Sequence, residues 1–217
     1  MLLAVYGSGG LGKTILDFAC VVEHHSHTWD EIVFIDDVTN EKSVLGVPVF
    51  PFEAFKEKYT PSPEVSVFVA IGEPKSRAAV CANVQNSGYR FARLIHPNAE
   101  ISPSAVIGDD VVIGNCFICP LVKIGDHAII ANRCTVGHDS SVGSYTVMNE
   151  GVFVGGFTEI GEMVYIGANA ALKDRIRVEN NAAVAMGAAV FKDVPEGFVA
   201  FGNPARNLRR GDDAKLF

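Results

Sequence analysis

A histidine followed at once by an aspartate, His138-Asp139, is the sharpest pairing of chemistry-bearing residues in this sequence. Imidazole changes charge near neutral pH, so it can take a proton from an attacking amine or hydroxyl. A neighbouring acid can fix its tautomer and favour the imidazolium. The pair therefore suits acyl transfer from a thioester; the bland alternative is a solvated turn histidine. Gly155-Gly156 and Gly167-Ala168 come next. Small residues let a ligand lie close to the backbone, and a free N–H can hold a carbonyl as negative charge develops. Gly167 recurs in phase with other glycines, whereas Gly156 is out of that phase and is the better candidate. A third group is the loop Gly7-Ser8-Gly9-Gly10-Leu11-Gly12 with Asp36-Asp37. Backbone donors in such a loop, opening a helix, can meet an anionic phosphate, and an acid ending the next strand can meet a ribose or base. The same loop can also merely pack a strand on a helix.

Two kinds of element must position these groups. Over residues 1–94 strands alternate with helices: Leu2–Tyr6, a helix after the glycine loop, Ile32–Ile35, an extended piece Val44–Phe50, a brief helix Pro51–Tyr59, Val65–Ile71, a helix Lys75–Asn86 and a strand Phe91–Ile95. That alternation implies a small parallel sheet with helices on its faces, a Rossmann-like α/β domain. At ~94 residues it has room for one mononucleotide unit, so a nucleotide-linked ligand is favoured over a dinucleotide.

After Ile95 the rhythm changes. Stepping by six from Ile124 meets Ile130, Val136, Val142, Met148, Val154, Ile160, Ile166, Leu172, Val178, Val184 and Val190, all medium aliphatic residues. An earlier series, Ile95, Ile101, Ile107 and Ile113, is one residue out of phase, and the slip is expected near Cys119-Pro120. A period of six predicts a parallel β-helix over 95–217, three hexads to a triangular coil, with the aliphatic residue pointing inward.

These hexads, with the glycine loop, Phe34-Ile35-Asp36-Asp37, Val69-Ala70-Ile71-Gly72, Ile95-His96-Pro97, Ile101-Ser102-Pro103, Pro195-Glu196-Gly197 and Gly202-Asn203-Pro204-Ala205-Arg206, resemble the left-handed β-helix hexapeptide-repeat acyltransferases. The resembling branch contains bacterial nucleotide-aminosugar N-acetyltransferases and sialic-acid O-acetyltransferases. The resemblance implies a left-handed coil and an acetyl-CoA-dependent N-acetyltransferase of bacterial glycan biosynthesis. The acceptor would be a UDP-4-amino-sugar type of nucleotide sugar. It makes His138 the base supported by Asp139 and sets Gly156, Ala168 and Met186 against acetyl-CoA. Gly9, Gly10, Leu11, Asp36, Asp37 and Gly72 would lie about the acceptor. It also implies a homotrimer with the cofactor between chains. Two positions depart from the family pattern: Leu11 and Val147 stand where histidines are usual. Sugar or sialic-acid O-acetylation, and a non-catalytic binding or scaffold role, are the alternatives.

Composition narrows the classes. The chain has 217 residues, 48% hydrophobic and 20% charged, so it is globular. Eighteen basic against twenty-five acidic residues, net −7, argue against nucleic acid as a partner. The apolar runs fall short of the ~18 residues a membrane span requires. Met1–Tyr6 lacks the basic flank of a signal peptide, and five cysteines are too few for a disulfide scaffold, so a cytoplasmic location is expected. No metal is expected: Cys116 and Cys119 have zinc-like spacing without a second pair. His24, His25 and His27 read as a polar helix end, and the basic tail Arg206–Arg210 as a steering patch for phosphates or a solvated end.

Overall fold

Runs of five residues with little polar alternation make strands buried on both faces, and two such runs lie side by side at the centre of the N-terminal sheet. In the computed structural model, which describes residues 1–209, the chain divides into two compact units, Met1–Pro97 and a second beginning at Asn98. The first contains β1 (Leu2–Tyr6), α1 (Gly10–Ser26), β2 (Glu31–Ile35), β3 (Ser43–Val44), β4 (Val47–Phe50), α2 (Phe52–Lys58), β5 (Val65–Val69), α3 (Pro74–Asn86), β6 (Arg90–Phe91) and β7 (Leu94–Ile95). The sheet order is β3-β4-β2-β1-β5-β6, all parallel except β3 on β4. The chain steps from β1 to β2 on one side and returns to β5 on the other. The glycine loop after β1 therefore stands at the point where the strand order reverses, the place where open α/β sheets hold ligands.

Two details differ from the sequence expectation. The extended piece Val44–Phe50 is a hairpin, because Leu45 and Gly46 both take positive φ, 52° and 79°, as a tight turn between antiparallel strands requires. The strand expected over Phe91–Ile95 is two short ones, β6 and β7. The histidines behave as expected: His24 and His25 occupy the last turn of α1, and His27 is its left-handed C-cap.

The second unit is a left-handed parallel β-helix of three faces. The first carries strands Phe117–Ile118, Thr135–Val136, Phe153–Val154, Ala171–Leu172 and Ala189–Val190. The second carries Lys123–Ile124, Ser141–Val142, Glu159–Ile160 and Arg177–Val178. The third carries Ile129–Ile130, Val147–Met148, Tyr165–Ile166 and Ala183–Val184, then Phe198–Phe201 paired antiparallel with Arg206–Arg209. All twelve aliphatic residues from Ile124 to Val190 are buried, each at 3% exposure or less. Burying each such side chain stabilises the coil by ~1.5–3 kcal/mol.

A second inward series runs two residues ahead of the first: Val122, Ala128, Cys134, Ser140, Thr146, Val152, Thr158 and onward, all buried. Its small polar members satisfy themselves on the next coil. Ser140 Oγ donates to Gly155 O at 3.0 Å, Thr146 Oγ1 to Gly161 O at 2.8 Å and Thr158 Oγ1 to Lys173 O at 3.1 Å. Cys116 and Cys134 belong to this series and donate to carbonyls in the same way, which accounts for them as coil filling. The corners also repeat every six residues. Leu121, His127, Arg133, Asp139, Tyr145, Phe157, Met163, Asn169, Arg175 and Asn181, with Gly151 and Gly187 in register, all have φ between 54° and 72°.

From Phe117 on, strands pair with partners eighteen residues away, but earlier ones pair at seventeen, as in Val112 with Ile129 and Lys123 with Val106. The missing residue falls between Ile113 and Ile118, ahead of the expected Cys119-Pro120: Ile118 is already in phase with Ile124. The basic tail is an edge strand over Arg206–Arg209 with every residue exposed, which is compatible with a solvated end, and Arg210 lies outside the described residues.

Candidate functional site

The corner between the first and second faces carries the histidine. Residue 139 takes the left-handed conformation, which ends the strand Thr135–Val136 and swings His138 outward. His138 Nδ1 lies 2.8 Å from Asp139 Oδ2. An ionised carboxylate only accepts, so Nδ1 carries the proton and the neutral ring keeps a lone pair on Nε2. The side chains of His138 and Asp139 are 56% and 34% exposed, so the pair is open to a substrate.

Beneath the imidazole sits Gly156, one coil on. A Cβ there would stand 2.9 Å from both Cε1 and Nε2 of His138, so only glycine leaves the ring its place. The structure thus gives the out-of-phase glycine a steric reason. The main-chain N–H groups of Gly156, Ala168 and Met186 donate to no acceptor among the described residues, which leaves each able to meet a ligand.

These predicted residues do not all converge within one chain. His138, Asp139 and Gly156 meet at the corner between the first and second faces. Ala168 and Met186 stack at the corner between the third and first faces, joined by Gly187 N–H donating to Ala168 O at 2.8 Å. Met186 is 75% exposed there. The two groups lie on opposite edges of the first face. Val147 is buried on the third face, away from His138, and Asn149 spends its amide on Ile166 O at 2.8 Å.

In the N-terminal unit a cleft of about 360 Å³ is lined by Ser8, Gly9, Lys13, Asp36, Val38, Thr39, Glu41 and Val44. Gly9 caps α1, and neither Gly9 nor Gly10 has an atom within 4 Å of where a Cβ would stand. Gly12 is different: a Cβ there would fall 1.9 Å from Gly7 O, so it is the loop's packing glycine. Asp36 is engaged by the chain itself. Oδ2 accepts from Ser8 N at 2.8 Å and Ser8 Oγ at 2.6 Å, and Oδ1 from Val38 N at 2.9 Å and Thr39 N at 3.1 Å. Partial burial pushes this carboxyl upward, but those hydrogen bonds outweigh it and hold the group below the usual carboxylate range. Asp37 accepts from the Tyr6 hydroxyl and from Phe52 N. Asp36 therefore shapes the cleft wall, whereas Asp37, engaged by Tyr6 and Phe52, is not one of its lining residues. Gly72 lies 4.0 Å, measured from its would-be Cβ, from the Leu11 side chain, and neither lines the cleft.

Two features escaped the sequence reading. Lys13 supplies a cation to the cleft, a signal legible as the residue closing the glycine loop. Phe157 and Arg175 share the histidine's edge, and stepping eighteen residues from Asp139 finds both.

Residues 2–84 match the PglD N-terminal domain, and residues 90–185 match the GMPPB C-terminal domain. The acetyltransferase domain of PglB from Neisseria gonorrhoeae FA1090 is 33% identical, with a TM-score of 0.86 over 95% of this chain and 99% of that one. The chain belongs to the hexapeptide-repeat acetyltransferases. That Neisseria domain has also been solved with acetyl coenzyme A, at 32% identity and a TM-score of 0.82 over 95% and 98% of the two chains. A mutant of perosamine N-acetyltransferase from Caulobacter crescentus, solved with CoA and GDP-perosamine, shares 25% identity and a TM-score of 0.86 over 98% of each chain. The GDP-perosamine N-acetyltransferase of Escherichia coli O157:H7 is 29% identical over 69% of this chain and 68% of its own. Membership accounts for the enzyme class, an acetyltransferase using acetyl-CoA, and for the pairing of a Rossmann-like unit with a hexapeptide coil. No helix among the described residues is long and apolar enough to cross a membrane.

Proposed function

We propose that the chain transfers acetyl from acetyl-CoA to the amino group of a nucleotide-linked amino sugar. The observation that carries the mechanism is the His138–Asp139 pair, with Nδ1 donating at 2.8 Å and Nε2 left over Gly156. Asp139 holds the tautomer in which Nε2 is basic. His138 Nε2 takes one proton from the amine as its nitrogen bonds to the thioester carbonyl carbon. The Gly156 N–H donates to the carbonyl oxygen as charge develops there. The C–S bond then breaks, the amide remains on the sugar, and the sulfur leaves as the thiol with the proton His138 returns. Transfer is direct: the Cys119 thiol approaches His138, but its contact is with the His138 main chain, and burial pushes the thiol upward, away from the thiolate that a covalent acyl-enzyme needs.

The glycine loop, with Gly9, Gly10 and Lys13, faces the nucleotide phosphates, and Asp36 forms part of the cleft wall. The UDP-4-amino-sugar acceptor rests on family resemblance. A GDP-linked acceptor is the second reading, favoured by relatives in Escherichia coli and Caulobacter whose names specify GDP-perosamine or perosamine. A homotrimer is proposed because His138 and Gly156 occupy one edge of the first face while Ala168 and Met186 occupy the other. A closed ring brings unlike edges of neighbouring copies together. Cytoplasmic synthesis fits an acceptor of this class.

The test is a panel of UDP- and GDP-linked amino sugars and sialic acids, assayed for thiol release from acetyl-CoA and for the acetylated product. N-acetylation of a nucleotide sugar supports the proposal and tells UDP from GDP. Turnover with sialic acid alone, or none with any acceptor, overturns it.

A further inference from the structure

Four side chains share one corner of the β-helix on adjacent coils, and their contacts form a chain that ends on the imidazole. Phe157 meets His138 edge to face, with ring centroids 5.1 Å apart and planes at 88°. The Arg175 guanidinium lies over the Phe157 ring, 4.2 Å from its centroid. Phe157 N–H donates to His138 O at 2.9 Å, and Arg175 N–H to Gly156 O at 3.0 Å, which ties the three coils together.

Phe157 is 42% exposed and holds φ at 56°, a conformation disfavoured for a bulky aromatic residue. Arg175 holds φ at 60°, and its ion pair with Asp174 is long, 3.9 Å. Neither residue fills the core. Their shared feature is the ring contact, and that contact leads to His138.

A half-exposed imidazole held only through Nδ1 can still swing about that bond. Gly156 limits it from below and Asp139 fixes one edge. Phe157 closes the side those two leave open. We propose that Phe157 and Arg175 are positioning residues: Phe157 holds the His138 ring with Nε2 toward the acceptor, and Arg175 holds Phe157 by stacking on it. This rests on His138 being the base. Neither residue reaches the reacting atoms under this proposal, so both act through the orientation of one ring.

The readout is single-turnover acetyl transfer in the whole protein, with an acceptor found in the substrate panel. Phe157→Leu is expected to lower that rate by about ten- to a hundredfold, the scale of an ångström-sized misplacement, with the KM for acetyl-CoA nearly unchanged. Phe157→Tyr keeps the ring and should restore most of the rate. Arg175→Ala should give a smaller loss, and Arg175→Met, which still covers the ring without charge, should recover part of it. The His138 ring-proton resonance, identified by its absence from His138→Asn, should move in Phe157→Leu and return in Phe157→Tyr. A folded Phe157→Leu within about twofold of the parental rate overturns the proposal. Should Phe157→Leu fail to fold, Arg175→Ala decides: a parental rate with an unmoved His138 signal overturns it equally. A His138→Asn variant that keeps the parental rate would instead overturn the base assignment itself, so the two failures are told apart.

Discussion

At the scale of single residues, the decisive geometry is an imidazole with one nitrogen committed and the other open. His138→Asn removes the proposed base and leaves an exposed corner side chain, so the melting temperature should hardly change while kcat falls by ~10²–10⁴-fold. Asp139→Asn keeps the base and weakens only its support, so its loss should be smaller; an equal loss would mean that the acid acts in the chemistry itself. Gly156→Ala is more informative about space. Its Cβ would stand 2.9 Å from the ring, so the imidazole must move. The rate is expected to drop by about tenfold or more in a folded protein, measured by acetyl transfer alongside circular dichroism. Parental activity would show that the ring has another productive seat.

The elements carry a different kind of cost. Inward hexad residues have no route to water, so Ile166→Ala should lose ~2–5 kcal/mol of stability. Lys123→Ala, on an outward position, should change it by less than ~0.5 kcal/mol. Denaturant melts of the two variants compare the faces of one coil. In the N-terminal unit, Asp36 ties the glycine loop to β2. Its carboxyl titrates below its unfolded value because hydrogen bonds outweigh partial burial. The stabilisation is therefore present above the ordinary carboxylate range and lost as pH falls through the lowered folded value. Asp36→Asn should flatten the acid limb of a plot of melting temperature against pH and leave the neutral region lower but parallel. An unchanged acid limb would show that the carboxylate is not what holds the loop.

For the whole molecule, the first face exposes Phe117 and Phe153, 48% and 52% accessible, with Ala171 and Ala189 in the same row. Uncovered apolar surface of that kind is a common mark of association. Sedimentation should give a species of three times 23.2 kDa. Phe153→Arg should shift it toward monomer and remove activity along with the assembly, because the two halves of the site would part. A fully active monomer would place the complete site within one chain.

The six-residue repeat was legible because all the inward aliphatic residues from Ile124 to Val190 obey it, and a solenoid has no other use for that spacing. His138-Asp139 was legible because the hexad phase already set it outside the core. Residues two before each inward aliphatic were harder to read, since Ser140, Thr146 and Cys134 look polar or reactive until the next coil supplies a carbonyl to each. The hairpin at Leu45-Gly46 and the short coil between Ile113 and Ile118 turn on backbone angles and register, to which hydropathy is blind. The sequence by itself determined the coil, its inward residues and the outward place of His138-Asp139, all of which follow from local order along the chain. Only the tertiary structure decided that Asp36 is spent on its own loop, that Gly156 makes room for an imidazole, and that Phe157 meets that imidazole with Arg175 stacked on its ring. Those facts depend on residues eighteen or more apart meeting across coils or strands, and distance in space is fixed only once the chain has folded.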